Sequence, residues 1–343
     1  MRGAGRVRGL LAAAVLAGLL AGCGTFSDEG REEYRRSQGE AAPPAGPEAS
    51  PSAEEQAELP FDVRPLLDPE KKYFGVAADG APASLEAVER YARDAGKKPN
   101  VIEFYAAWGD RYETDLVGNA WRYGAVPYIA WEPFAKSLKS IAAGGSDAYI
   151  REWAVAVREL NVPVALSFAH EMNGHWYPWG TGKATPKEFR DAYRRVHDIF
   201  VEERATQAIW VWSPNVVNPM PDVELEPYWP GETYVDWIGV VGYYGAQGPA
   251  TFDTLYGPTM RQIRTFSDKP FLIAETAAEA GETKPAAVAD LFRGVAARKD
   301  VIGFVWFNFD KESDWRITSG PASLKAFRAG ARNPAFGFDV GAP

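Results

Sequence analysis

The chain reads as an α/β protein folded into one (β/α)8 TIM barrel. Three observations carry that reading. Short apolar runs alternate with helical patterns across residues 67–336, eight such runs occur, and no linker interrupts them. About 270 residues is a routine size for a single closed barrel. Its active site is then expected at the carboxyl ends of the strands.

The runs are YFGVAA from Tyr73, VIEFYAAW from Val101, VPYIAWE from Val126, PVALSFAHE from Pro163, AIWVWSPN from Ala208, VDWIGVVGYY from Val235, PFLIAET from Pro270 and VIGFVWFNF from Val301. Between the fourth and fifth, Thr185-Pro186-Lys187-Glu188 has the form of a capping box with proline at the first helical position. Phe189, Ala192, Tyr193, Val196, Ile199 and Phe200 then repeat at helical spacing, which predicts a helix with one buried face. Ser84 and Ser146 are expected to open helices after other strands.

Unusual residues collect where these runs end: Trp108, Trp131-Glu132, His170-Glu171, Tyr243, Glu275 and Trp306. One tryptophan at a strand end is more often core or rim than a ligand contact. Several at one face point to sugar rings, whose axial C–H bonds stack on aromatic faces. Glu171 and Glu275, closing the fourth and seventh runs, would share the barrel mouth. Two carboxyl groups so placed suit glycosidic-bond hydrolysis, where one protonates the leaving oxygen and the other attacks or activates water. A rim ion pair is the competing role for each.

The stretch SFAHEMNGHWYPWG, from Ser167, invites a zinc reading because it carries His170-Glu171 and His175. The helical zinc signature needs histidines four apart, and a spacing of five turns the second away by roughly 140°. Asn173-Gly174 and Pro178 also break a helix there. His197 is the remaining histidine and Cys23 the sole cysteine, too few for a usual zinc shell. No metal and no cofactor are expected.

Residues 1–22 read as a lipoprotein signal peptide. Arg2, Arg6 and Arg8 precede an apolar run from Leu10 to Ala21, too short to span a bilayer, which takes about 20 residues. The run ends in LAGC, which resembles a bacterial lipobox and implies lipidation at Cys23. An ordinary secretory signal is the alternative, and either way the protein is expected to be exported, anchored in the first case to the extracytoplasmic face of the membrane. Residues 23–66, rich in Ala, Pro, Glu and Ser, read as the lipidated cysteine and a disordered tether. Residues 337–343 read as a C-terminal tail. A net charge of −9 argues against nucleic acid as a partner, and a monomer is expected.

From FAHEMNGHWYPWG outward the chain resembles glycoside hydrolase family 26. The likeness runs through YFGV, YIAWEP, VDWIGVVGY and FLIAET to VWFNFDKESDWRI, and so across nearly all of the folded region. The resemblance implies a retaining (β/α)8 hydrolase with Glu171 as acid/base and Glu275 as nucleophile. It implies that Tyr243 donates to the nucleophile and that His170 lines the sugar subsite. Trp306 would form the floor beneath the reacting sugar and Trp179 a flanking platform, with Trp176 and Trp131 also in the sugar-binding set. Apolar neighbours Trp176, Tyr177 and Trp179 would raise the pKa of Glu171. Asp314-Trp315-Arg316 is read as a salt bridge or loop anchor. One departure is that Val241 and Tyr244 flank Gly242-Tyr243, where the family often carries an acidic or amide residue. The implied substrate is an uncharged β-linked polysaccharide, foremost β-1,4-mannan cut internally, with mixed-linkage β-glucan or β-1,3-xylan as alternatives. A polysaccharide-binding lipoprotein without activity is the reading from a different class.

Overall fold

The computed structural model describes residues 59–343. The leader, Cys23 and most of the expected tether lie outside the described residues. Eight parallel strands form a closed barrel in chain order: β1 Tyr73–Ala78, β2 Val101–Ala107, β3 Val126–Glu132, β4 Val164–Phe168, β5 Ala208–Trp212, β6 Trp237–Val241, β7 Phe271–Thr276 and β8 Val301–Asn308. Each falls within one of the eight runs. Around them lie α1 Arg64–Leu67, α2 Glu86–Ala95, α3 Thr114–Tyr123, α4 Leu138–Ala142, α5 Asp147–Leu160, α6 Pro186–Glu202, α7 Phe252–Ile263, α8 Lys284–Ala297 and α9 Pro321–Ala331. Among the described residues no helix is long and apolar enough to cross a membrane.

The expected helix after β4 is α6. The Thr185 hydroxyl accepts from the Glu188 backbone N–H while the Glu188 carboxylate accepts from that of Thr185, so two otherwise unpaired donors are satisfied reciprocally. The six apolar residues at helical spacing are all buried. Ser146 does precede α5, but makes no side-chain cap; its Oγ instead accepts from Trp108 Nε1 at 3.3 Å.

β1 closes the barrel against β8, in register from Tyr73 opposite Gly303 to Ala78 opposite Asn308. Gly303 has φ +153°, and a Cβ there would lie 2.4 Å from the Tyr73 carbonyl oxygen, so only glycine lets the seam shut. Side chains alternate between lumen and helix layer along each strand. In the lumen, Ser167 Oγ donates to Ser213 Oγ at 2.7 Å, and Tyr128 Oη lies 3.3 Å from the same hydroxyl.

Packing begins before residue 67 and continues past residue 336. Phe61 meets Trp121 edge-on, Leu66 is fully buried, and Trp237 Nε1 donates to the Leu67 carbonyl at 2.9 Å. At the other terminus Phe338 packs on Tyr73, Asn100 Nδ2 donates to the Phe338 carbonyl at 3.1 Å, and Val340 is buried. Tyr73 and Trp237 open their strands and Asn100 directly precedes β2, so both terminal segments cover the amino-terminal end of the barrel, its base.

Candidate active site

After β4 the backbone turns sharply: Ala169 and Glu171 have φ +53° and +55°, a left-handed conformation that costs a non-glycine residue about 1–3 kcal/mol. Neighbouring strands hold the turn from both sides. Ala169 N–H donates to the Trp131 carbonyl at 3.0 Å and Glu171 N–H to the Ser213 carbonyl at 2.6 Å. The chain then folds back so that Trp176 Nε1 donates to Glu171 Oε2 at 2.5 Å. Gly174 makes room for that return, since a Cβ there would stand 2.3 Å from the Trp176 ring.

The other oxygen of Glu171, Oε1, accepts from Asn215 Nδ2. Asn215 follows β5 and is fixed by a reciprocal pair: its N–H donates to Asn173 Oδ1 at 2.8 Å, and Asn173 Nδ2 donates to its carbonyl at 2.9 Å. Glu171 is 8% exposed. Burial pushes its pKa up to about 7, the Glu275 charge adds to the rise, and the Asn215 and Trp176 donors oppose it.

On β7, Glu275 accepts a hydrogen bond at each oxygen, from Tyr105 of β2 at Oε2 and from Tyr243 after β6 at Oε1. Burial raises its pKa as well, against these phenols and the Lys311 ammonium, which favour the carboxylate. Lys311 Nζ sits 4.5 Å over the Phe309 ring. Two further carboxyls face the same space. Glu132, closing β3, is pushed up to about 7 by burial and then by Glu275. Glu103, on the Tyr105 side of β2, is 3% exposed with Oε2 lacking a hydrogen-bond partner among the described residues; burial and then Glu275 push its pKa well up.

His170 lies beside them, its Nε2 3.2 Å from Tyr177 Oη and 3.9 Å from Glu132 Oε1. Burial depresses its pKa to about 4, so the ring is neutral at ordinary pH. Tyr177 stacks on Trp179 at 4.4 Å, and Phe134, half exposed, meets Trp179 edge-on at 4.9 Å. Trp179 is itself buried and donates from Nε1 to the His170 carbonyl at 2.7 Å; it buttresses the histidine, and Tyr177 and Phe134 carry the open aromatic faces.

Glu171, Glu275, His170, Trp176 and Tyr243 thus come together, whereas Trp179, expected as a flanking platform, is buried behind His170 and two further expected sugar contacts lie elsewhere. Trp131 is 0% exposed, stacked between Trp108 at 4.6 Å and Trp153 of α5 at 4.0 Å. Trp306 is also 0% exposed and meets Phe327 of α9 edge-on at 5.0 Å. Both rings occupy the layer between strands and helices and offer no face to a sugar, which corrects the expectation that they bind substrate. One residue on, Phe307 faces the lumen and packs against Tyr243 at 5.9 Å. Trp315 is partly exposed, with its ring centroid 5.1 Å from that of Tyr243, which donates to Glu275.

Sequence reasoning missed Tyr105, Asn215 and Glu103 as site residues, noted Glu132 at its strand end without a role, and read Trp315 only as part of a loop anchor. Alternation in VIEFYAAW puts Glu103 and Tyr105 on one face, and Asn215 is the polar residue ending the SPN step after β5, so signals existed for three of them.

A closed parallel barrel whose mouth carries one carboxyl just after β4 and another on β7 among aromatic faces has the architecture of glycoside hydrolases. This chain belongs to glycosyl hydrolase family 26, whose sequence profile matches residues 136–315, a little over half of it. It is 30% identical over 277 residues to endoglucanase H of Acetivibrio thermocellus, covering 74% of this chain and 30% of that one. It is 27% identical over 159 residues to a mannan endo-1,4-β-mannosidase of Bacillus subtilis, covering 43% of this chain and 41% of that one. The chain therefore spans less than half the length of these relatives. Among solved structures, a modular endo-β-1,4-mannanase from Cellulomonas fimi has the same fold, with TM-score 0.64 and 18% identity over 80% of this chain and 74% of that one.

Proposed function

We propose that Glu171 is the acid/base and Glu275 the nucleophile of a retaining endo-hydrolase acting on an uncharged β-linked polysaccharide. The observation that carries this is the contrast between the two carboxyls. Burial and the Glu275 charge push the Glu171 pKa up to about 7, which lets it carry a proton near neutrality, while at Glu275 burial, which also raises the pKa, is opposed by two phenol hydrogen bonds and the Lys311 ammonium that favour the charge. In the first step Glu275 bonds to the anomeric carbon as the glycosidic C–O bond breaks, and the Glu171 proton goes to the leaving oxygen. In the second, Glu171 takes a proton from water as that water's oxygen displaces Glu275. Asn215 suits the exchange, since rotation about its terminal bond offers Glu171 either a donor or an acceptor. Trp315, Tyr177 and Phe134 supply the open aromatic faces for sugar rings.

The endoglucanase relative, 30% identical over 74% of this chain, supports a β-glucan. A second reading, β-1,4-mannan, draws on the mannosidase relative. Product analysis on mannan, mixed-linkage β-glucan and β-1,3-xylan decides between them, and activity on none of these sinks the polysaccharide reading. For the roles, Glu275→Ala with azide and an activated β-fluoride is expected to give an α-glycosyl azide. Glu171→Ala with an activated β-glycoside is expected to give the β-azide, while losing about 10²–10⁴-fold in rate on polymer. Inverted wild-type product overturns both assignments.

The same reading includes export and anchoring through lipid on Cys23, motivated by the LAGC step. Acyl chains gain ~0.8 kcal/mol per buried CH₂, so Cys23→Ser is expected to release the protein from membranes. A variant still sedimenting with them requires another attachment.

A further inference from the structure

We infer that Lys284 is a positioning residue that fixes the Trp315 sugar platform through the backbone of the loop following β8. The inference rests on the proposed role of Trp315.

Lys284 is 0% exposed and is the first residue of α8, which has no acidic residue in its first turn. A cation at a helix N-terminus opposes the helix dipole, and burying an ammonium is costly unless it is well bonded. Both penalties are accepted here for one set of contacts. Lys284 Nζ donates to the Asp314 carbonyl at 3.1 Å and to the Arg316 carbonyl at 2.9 Å. The carbonyl between them, that of Trp315 itself, accepts from Trp306 Nε1 at 3.1 Å. Lys284 Nζ also sits 5.8 Å over the Trp306 ring. Three successive carbonyls are therefore held by buried donors, leaving the Trp315 ring to project toward Tyr243, the donor to Glu275.

The loop's outer face has ion pairs of its own. Arg316 reaches Asp310 and Asp314, each at 2.8 Å, but Arg316 and Asp310 are roughly half exposed and such pairs hold little in water. The buried ammonium adds to the loop's backbone anchors, Trp315 N–H on the Phe309 carbonyl at 2.9 Å and Ile317 N–H on Asn308 Oδ1 at 3.0 Å, by holding the two carbonyls that flank that of Trp315. Burial lowers the Lys284 pKa to about 8, Asp314 opposing and Arg316 adding to the fall, so near neutral pH the group is mainly the protonated three-donor form.

A double-mutant cycle tests this with Lys284→Met, which keeps the length and loses the donors, and Trp315→Ala. Lys284→Met is expected to lower kcat/KM about tenfold or more and to cost less than about twofold once Trp315 is gone, as residues acting through one contact do. An equal loss in both backgrounds assigns Lys284 a merely structural role and overturns the inference. So does a wild-type-like kcat/KM in the single variant. Hydrogen exchange over residues 309–317 is read without substrate, where Lys284→Met is expected to speed exchange and unchanged protection also overturns the inference. A wild type inactive on every polymer while the exchange result holds refutes the hydrolase reading and leaves the loop anchor standing. If the Met variant does not fold, Lys284→Gln, a shorter neutral donor, replaces it in both measurements.

Discussion

Glu171 holds its proton near neutrality because burial outweighs the two hydrogen bonds that favour its charge. Removing one of those donors has a defined sign. Trp176→Phe leaves the charged form less favoured, the pKa rises, and the alkaline limb of kcat/KM moves up. A hydrogen bond to a charged group is worth about 1.5–3 kcal/mol, and ~1.4 kcal/mol is one pKa unit, so a shift of about one unit or more is expected. Glu132 titrates in the same range but does not touch Trp176, so the shift reports Glu171. A pH–rate series on a substrate with a poor leaving group measures it; an unmoved limb, or one moved down, removes Trp176 from control of the acid. At this scale the sequence was legible where chemistry and motif coincide, as at Glu171, Glu275, His170 and Tyr243. It misled at Trp131 and Trp306, because a one-residue step along a strand exchanges lumen for helix layer and residue type does not say which side an aromatic takes. The SPN step marks Asn215 as a polar residue past β5 but does not name Glu171, the partner it donates to across the mouth.

The connection after β4 is the element on which the site depends. Its left-handed residues, Ala169 and Glu171, sit in a segment whose later course places Trp176 back over the acid. Gly174→Ala puts a methyl group into the Trp176 ring and must displace it. Overpacking of this kind costs about 1–3 kcal/mol, so a lower melting temperature is expected, together with an alkaline limb shifted in the same direction as in Trp176→Phe. A variant that melts lower with an unchanged limb would show that the ring can move without releasing Glu171. Elements with their own local code were the easiest to anticipate. The Thr185 capping box and the buried face of α6 follow from spacing within one helix. Ser146 shows the limit of such codes: its hydroxyl is claimed by Trp108, a partner 38 residues away that no local pattern reveals.

For the molecule as a whole, the eight runs and their alternation with helices sufficed for the barrel, because closure demands only that each strand find the next. The terminal segments were harder to anticipate. Phe61 and Phe338 lie in stretches with little periodicity, and what orders them is the surface beneath them, where Trp121 and Tyr73 wait. The described chain begins at the end of the barrel opposite the mouth, with Phe61 N–H donating to Asn161 Oδ1 at 2.8 Å just past the C-terminus of α5. A pull on residue 59 would therefore load the base first, at the end of the barrel farthest from Glu171 and Glu275, much as a rope on a stern cleat leaves the bow unstrained.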